Sequence, residues 1–342
     1  MKTKKNIVKK LKPKSIKKTL LFGIMSLAIG ISIFCGVASS IILYQTSYSN
    51  MQSEVDTAAK AYSQAVTNKI QLYKFQVEQA ATNNYIFDNA ISPETRQIMK
   101  DKLAKQYGLL SISVADSTGQ TDIAGISVSD REFFKQAMKG TTYISSPVKS
   151  KKDGSMVVYI ATKMNDSNGS DGIVFASIKS DTFSGMVDKA TIGKTGSSFI
   201  VDKTGTFVAS KDAATVNNLT NYIEASKKDS SLNAIGAVTQ SMIAGKTGSA
   251  AYSLNGKQKY MAYTPVAGTD GWSIGSSADV SEMMSNFYIG IAIMLFLMVL
   301  FIVKCPLFVL LCFIIHHLYG KSSVLCINIH YYCNFRNSSF IE

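Results

Sequence analysis

Two long uncharged runs constrain everything that lies between them. Thr19 to Tyr44 is 26 residues without a single Asp, Glu, Lys, Arg or His, and about 20 apolar residues suffice to cross the hydrocarbon core of a bilayer. The run stays uncharged as far as Ser53, but Gln45, Ser47, Ser49 and Asn50 make its end interfacial. The second run, Phe287 to Val303, is extended by Met283 and Met284 and bounded by Glu282 and Lys304. A cleaved signal peptide is the competing reading of the first run. Its apolar region would span about 7–15 residues, well short of this one, and Ala38-Ser39-Ser40 resembles a cleavage site only loosely. A buried helix of a soluble protein is the competing reading of the second, and 21 uncharged residues between Glu282 and Lys304 count against it. Both runs therefore read as transmembrane helices, over 19–44 and 283–303, with the lipid bilayer as their partner.

Charge gives the orientation. The net +13 suggests nucleic acid until it is partitioned. Residues 1–18 hold nine lysines and no acid, whereas residues 45–283 hold 24 Lys/Arg against 22 Asp/Glu. The excess is an end effect, not a basic groove, so nucleic-acid binding is excluded. A lysine block before an apolar run resists translocation. The basic segment 1–18 is thus expected in the cytoplasm, residues 45–283 outside the membrane, and the C-terminus back in the cytoplasm. The five cysteines are Cys35, Cys305, Cys312, Cys326 and Cys333. The large middle region has none, so neither a disulfide nor thiol chemistry is available to it.

Within that region, residues 45–88 have helical character, with Ile70, Tyr73, Val77 and Ala80 as an apolar stripe. Pro93 reads as the first turn of a second helix ending at Gly108. LLSISVAD (109–116), MVVYIATK (156–163) and GIVFASIK (172–179) read as strands, with a helix over 130–139 and a polar loop at 165–169. SSFIVDKTGTFVAS (197–210) is a strand, a turn and a strand that echo VADSTGQTDIAG (114–125), a weak internal repeat. A helix over 231–244 precedes strands at 248–254, 257–266 and 271–279, with an Asn255-Gly256 hairpin signal between the first two. The expected class is α+β: two small antiparallel-sheet modules on a shared long helix.

These passages resemble the double Cache receptor domain, a tandem of PAS-like modules found outside the membrane in methyl-accepting chemotaxis proteins and sensor kinases. The resemblance is carried by SDREFFKQAMKGTTYISSPVKSKKDGSMVVYIATKM (129–164), GIVFASIKSDTFSGMV (172–187), IGKTGSSFIVDKTGTFVAS (192–210) and NGKQKYMAYTPVAGTDGWSIGSSADVSEM (255–283), in that order. It implies a stalk and long helix over 45–108, a membrane-distal module over 109–187 and a membrane-proximal one over 188–282. It also implies a ligand pocket in the distal module. In amino-acid-binding members an Arg stands two residues before a Trp that Tyr follows, and an Asp late in the module holds the ligand's ammonium. The matching positions here are Arg131, Phe133 and Phe134, with Ser177 at the Asp position. An arginine can grip a carboxylate through two parallel hydrogen bonds, and the ammonium partner is missing. A small carboxylate is therefore expected over an α-amino acid.

Arg131 is flanked by Asp130 and Glu132, which could instead hold it as a structural ion pair. Tyr143, Ser145 and Tyr159 are supporting candidates for polar contacts in the pocket, and Trp272 is expected in the core of the proximal module. No histidine precedes His316, no phosphate loop accompanies Lys194-Thr195, and the Asp-x-x-Gly passages read as turns. Neither catalysis, a metal nor a cofactor is expected. Residues 304–342 depart from the receptor plan: this apolar stretch holds four of the five cysteines and all three histidines, and lacks any signalling helix or kinase motif. A reading frame disrupted just past the second crossing would produce such a tail. The expectation is a chemotaxis receptor's sensing region, homodimeric through its long helices, without its output domain. The sensory region of a histidine kinase or cyclic-dinucleotide enzyme, or a surface binding protein that does not signal, stays open.

Overall fold

The computed structural model describes residues 16–164 and 171–304, with six further positions up to 315. The lysines before residue 16, the loop at 165–169 and the cysteines and histidines of the tail lie outside them. Contacts divide the chain into residues 48–284, one compact unit, and a second made of the segments on either side. The flanking segments hold two helices long and apolar enough to cross a membrane, with mean hydropathies of 2.2 and 2.6 in their best windows. No part of either window is buried against protein. That is the reverse of what a soluble core helix requires.

Helix α1 runs Ile16–Ala81. In the compact unit its face with Ile70, Tyr73, Val77 and Ala80, the stripe legible in the sequence, is 0–3% exposed, and Val66 continues it at 2%. Helix α2 (Pro93–Tyr107) begins where the Ser92 hydroxyl accepts from the Thr95 amide and stops at Gly108, left-handed at φ 66°. A first antiparallel sheet follows: β1 (Ser111–Asp116), α3 (Glu132–Met138), the short strands β2 (Tyr143–Ile144) and β3 (Val148–Lys149), then β4 (Met156–Lys163) and β5 (Gly172–Lys179), in the order β1-β5-β4-β2 with β3 also on β4. Residues 181–188 form α4 (Asp181–Asp188), seated by buried Phe183 and Val187.

The second sheet comprises β6 (Ser197–Val201), β7 (Phe207–Ser210), β8 (Gly248–Leu254), β9 (Lys257–Pro265) and β10 (Ser273–Asp279), ordered β7-β6-β10-β9-β8. Three helices lie between β7 and β8: α5 (Ala213–Asn217), α6 (Tyr222–Ser226) and α7 (Asn233–Ile243). Asn255 and Gly256 both take positive φ, 52° and 73°, the two-residue turn that matches strand twist.

The internal repeat holds at atomic detail. Asp116 Oδ1 accepts from the Thr118 amide (2.9 Å), its hydroxyl (2.6 Å) and the Gln120 amide (3.0 Å). Asp202 Oδ1 accepts from the Thr204 amide (2.8 Å), its hydroxyl (2.7 Å) and the Thr206 amide (3.1 Å). Gly119 and Gly205 close the two turns at φ 83° and 86°, a conformation costly for a residue with a Cβ. Registers agree as well: Ser111 opposes Ser177 in the first sheet and Ser197 opposes Ser277 in the second. Strand side chains alternate between faces, so each sheet uses its faces alike. Ile112, Val174 and Ala176 of the first sheet, Ile200 and Ile274 of the second, and Trp272 just before β10 share one buried cluster with Val66, Ile70 and Val77 of α1. The opposite faces each carry a separate core and a cavity.

Strand β10 ends at Asp279, which opens the short helix α8 (Val280–Met283). There the Glu282 carboxylate accepts from the Thr195 amide at 2.7 Å, from the Lys194 amide at 2.5 Å and from the Thr195 hydroxyl. Gly193, at φ 60°, leaves room for it: a Cβ would sit 2.7 Å from Glu282 Oε1. The Thr195 hydroxyl and these amides hold the Glu282 pKa below the usual value. A depressed folded-state pKa means the contact contributes above the ordinary Glu range and is lost as pH falls through the folded pKa. The protection of the Lys194 and Thr195 amides against hydrogen exchange, relative to their intrinsic rates, is thus expected to fall on acidification below about pH 4.3. In Glu282→Gln it should already be lowered at neutral pH, and equal protection in both proteins would disprove the contact.

Candidate functional site

The outer face of the first sheet forms the floor of a cavity. Alternation puts Ser111 and Ser113 of β1, Phe175 and Ser177 of β5, and Val157 and Tyr159 of β4 on this face, and all six line a cavity of about 150 Å³. That is about five water volumes at roughly 30 Å³ each, space for a small solute. One wall is aromatic: Phe133, 2% exposed, lies 4.6 Å from the Tyr159 ring and 5.5 Å from that of Phe175. The Ser111 and Ser177 hydroxyls are 2.7 Å apart across the floor.

The other walls are an arm and a charged turn. Thr121, Ile123, Ile126 and Val128 line the cavity from the arm that follows the Asp116 turn. Asp122 anchors this arm, binding Lys100 of α2 and accepting from the Val114 amide at 3.3 Å. The turn between β3 and β4 adds Lys151, Lys152 and Asp153. Asp153 has its carboxylate committed to the amide and hydroxyl of Ser155, which hold its pKa down.

Arg131 lines the cavity from the N-cap position of α3. Its Nη2 donates to the Lys149 carbonyl at 3.1 Å. Neither flanking acid is its ion-pair partner: Asp130 binds Lys151 at 2.6 Å, and Glu132 accepts from Gln136. Among the described residues Arg131 has no salt bridge. The lining thus carries Arg131, Lys151 and Lys152 against Asp153, and with Lys151 paired to Asp130 one positive charge stays uncompensated, which favours an anion.

Four of the seven residues singled out in the sequence, Arg131, Phe133, Tyr159 and Ser177, meet around this cavity. Three do not line it. Phe134 is buried in the core under α3. Tyr143 donates to Asp270 Oδ2 at 2.9 Å, and burial together with that carboxylate pushes its phenol pKa up. The Ser145 hydroxyl accepts from the Tyr159 amide and donates to the Ser146 carbonyl, which holds the strand edge. Sequence reasoning missed Ser111, Ser113 and Phe175, although alternation from Ser177 finds Phe175, and the strand register places Ser111 and Ser113 opposite the two. It also missed the arm, whose signal was three apolar residues in a polar stretch.

A family model for the Cache domain matches residues 39–287. The chain belongs to the Cache domain family. Its two sheets, long N-terminal helix and two membrane-length helices are the Cache, PAS-like, arrangement. Among curated proteins, the methyl-accepting chemotaxis protein McpB of Bacillus subtilis is 29% identical over 155 residues, 45% of this chain and 20% of that protein. The chain thus spans about a fifth of the length of the curated relatives it matches. The ligand-binding domain of the Pseudomonas fluorescens chemoreceptor CtaA, solved with L-alanine, matches at TM-score 0.54 and 19% identity, over 68% of this Cache chain and 98% of that one. That of the Pseudomonas aeruginosa PAO1 amino acid chemoreceptor PctB, with L-Arg, matches at 0.53 and 17%, over 68% and 97%. At these identities the likeness establishes the fold alone.

Proposed function

We propose that this Cache region is the sensing part of a chemotaxis receptor and takes a small carboxylate into the first-sheet cavity. The observation that carries the reading is Arg131, set at a small cavity and without an ion-pair partner among the described residues. Its guanidinium would grip the carboxylate, Ser111 and Ser177 would accept or donate at the floor, and Phe133, Tyr159 and Phe175 would enclose the apolar part. The lysine-rich start supports a cytoplasmic N-terminus, residues 45–283 outside the membrane, and return at the second helix. Leu72 and Phe75, 46% and 56% exposed on α1, support pairing of two copies along that helix. Residues 109–187 and 188–282 then serve as distal and proximal modules, and ligand-induced movement of the helices would carry the signal.

The test is a thermal-shift series on the full chain in nanodiscs, comparing propionate with L-alanine and their longer homologues. Acids are expected to raise the melting temperature, and Arg131→Ala to weaken them roughly 10- to 100-fold, the equivalent of losing charged hydrogen bonds of about 1.5–3 kcal/mol. Equal stabilisation of the Arg131→Ala protein would remove Arg131 from the site. Stabilisation by L-alanine and not by propionate would overturn the carboxylate reading and make Asp153 the ammonium's partner.

A further inference from the structure

The repeat that relates the two sheets has a chemical consequence for the second. Superposing Asp116 on Asp202 along the chain puts Ser111 on Ser197, and the strand registers then put Ser177 on Ser277. The first pair lies on the floor of the cavity described above, and the second pair lines a cavity of about 360 Å³ on the equivalent face of the second sheet. We propose that this second cavity is a separate ligand site, built for a flat aromatic carboxylate.

Its walls and its charge differ from those of the first in a consistent direction. Position 113, a serine in the first sheet, corresponds to Phe199, whose ring lies 5.0 Å from Phe207, and Phe207 lies 5.4 Å from Tyr222 of α6. These three rings form a continuous apolar wall, suited to a planar ring that stacks or meets them edge-on. The cation comes from the sheet itself. Tyr252, Lys259 and Asp279 oppose one another across β8, β9 and β10, one step along from Ser277, and Lys259 stands where the first sheet has Val157. Lys259 is 2.5 Å from Asp279, but Lys257 binds the same carboxylate at 3.1 Å. Two lysines thus share one acid, and the cluster keeps a positive charge. The Lys259 side chain is 18% exposed, and the residue lines the cavity. Burial pushes the Tyr252 phenol pKa up to about 12, so its hydroxyl stays protonated and can donate to an anion. Asp279 lies behind Lys259 and does not line the cavity, and the one acid that does, Asp212, is turned to capping α5 through the Ala214 amide and the Thr215 hydroxyl.

Benzoate is the probe, titrated calorimetrically into the full chain in nanodiscs. It is expected to bind the unaltered protein and Arg131→Ala with affinities within about twofold of each other, because the first cavity is not involved. Lys259→Met is expected to weaken it about tenfold or more, the loss of one charged contact. Because Lys259 also touches a buried acid, Thr215→Trp provides a second variant: Thr215 is half-buried on α5 and lines the cavity, so an indole there should fill it and abolish binding. No benzoate binding to the unaltered chain overturns the proposal, as does binding that survives Thr215→Trp. Loss in Arg131→Ala with retention in Thr215→Trp also overturns it and assigns benzoate to the first cavity, and a failure of Arg131 to bind propionate leaves this site standing.

Discussion

Trp272→Ala is expected to lower the stability of the extramembrane region by about 3–5 kcal/mol, the range for removing a fully buried large aromatic side chain. The only tryptophan of the chain is 1% exposed and meets Phe183 of α4 edge-on at 5.6 Å. It belongs to the buried cluster that joins α1 to both sheets, with Ile70, Ile200 and Ile274. Its backbone is fixed too, since its amide donates to the Thr269 hydroxyl and its carbonyl accepts from the Val266 amide. At roughly 2–4 °C per kcal/mol for a domain of this size, the melting temperature should fall by about 6–20 °C. Circular dichroism of the full chain in nanodiscs measures it without needing the lost indole. Trp272→Phe keeps a ring against Phe183 and should lose less than half as much. A Trp272→Ala protein melting within ~2 °C of the unaltered one would place the indole outside the core, against the cavity-term expectation.

The sheets were legible because periodicity is a local property. Strands at 111–116, 156–163, 172–179 and 248–254 sit within two residues of where apolar runs and turn signals put them, and the α1 stripe is the buried face. Pro93 and Gly108 marked both ends of α2 because each restricts or frees φ by its own covalent structure. The short helices α5 and α6 gave no such signal: five residues make little more than one turn, and their stability comes from capping by Asp212 and Asn221 and from packing. The site split along the same line. Arg131, Phe133, Tyr159 and Ser177 were found through a resemblance supported by local order. Tyr143 and Asp270, 127 residues apart, meet only through the tertiary fold. The sequence therefore held no local reason to take Tyr143 out of the pocket.

The arm over the first cavity illustrates how a single buried charge can control a binding surface. Lys100 is 5% exposed at its side chain, while its partner Asp122 is 24% exposed. The two single substitutions should therefore be unequal. Lys100→Ala leaves a carboxylate that still reaches water and the Val114 amide. Asp122→Ala leaves an ammonium in the protein interior, and breaking a buried pair this way costs up to about 3–5 kcal/mol. Asp122→Ala also releases the arm from α2, so Thr121, Ile123, Ile126 and Val128 lose the anchor that keeps them over the cavity. Hydrogen exchange in residues 121–128 is expected to rise more in Asp122→Ala than in Lys100→Ala, and small-acid affinity to fall with it. Replacing both partners by apolar residues, Lys100→Met with Asp122→Val, removes the charge problem and should recover most of the stability. It restores no polar tether to Val114, so ligand affinity should recover less than stability does. Equal losses in the two single variants would mean that the pair is solvated from both sides, and full recovery of affinity in the double variant would show that the arm is held by packing alone.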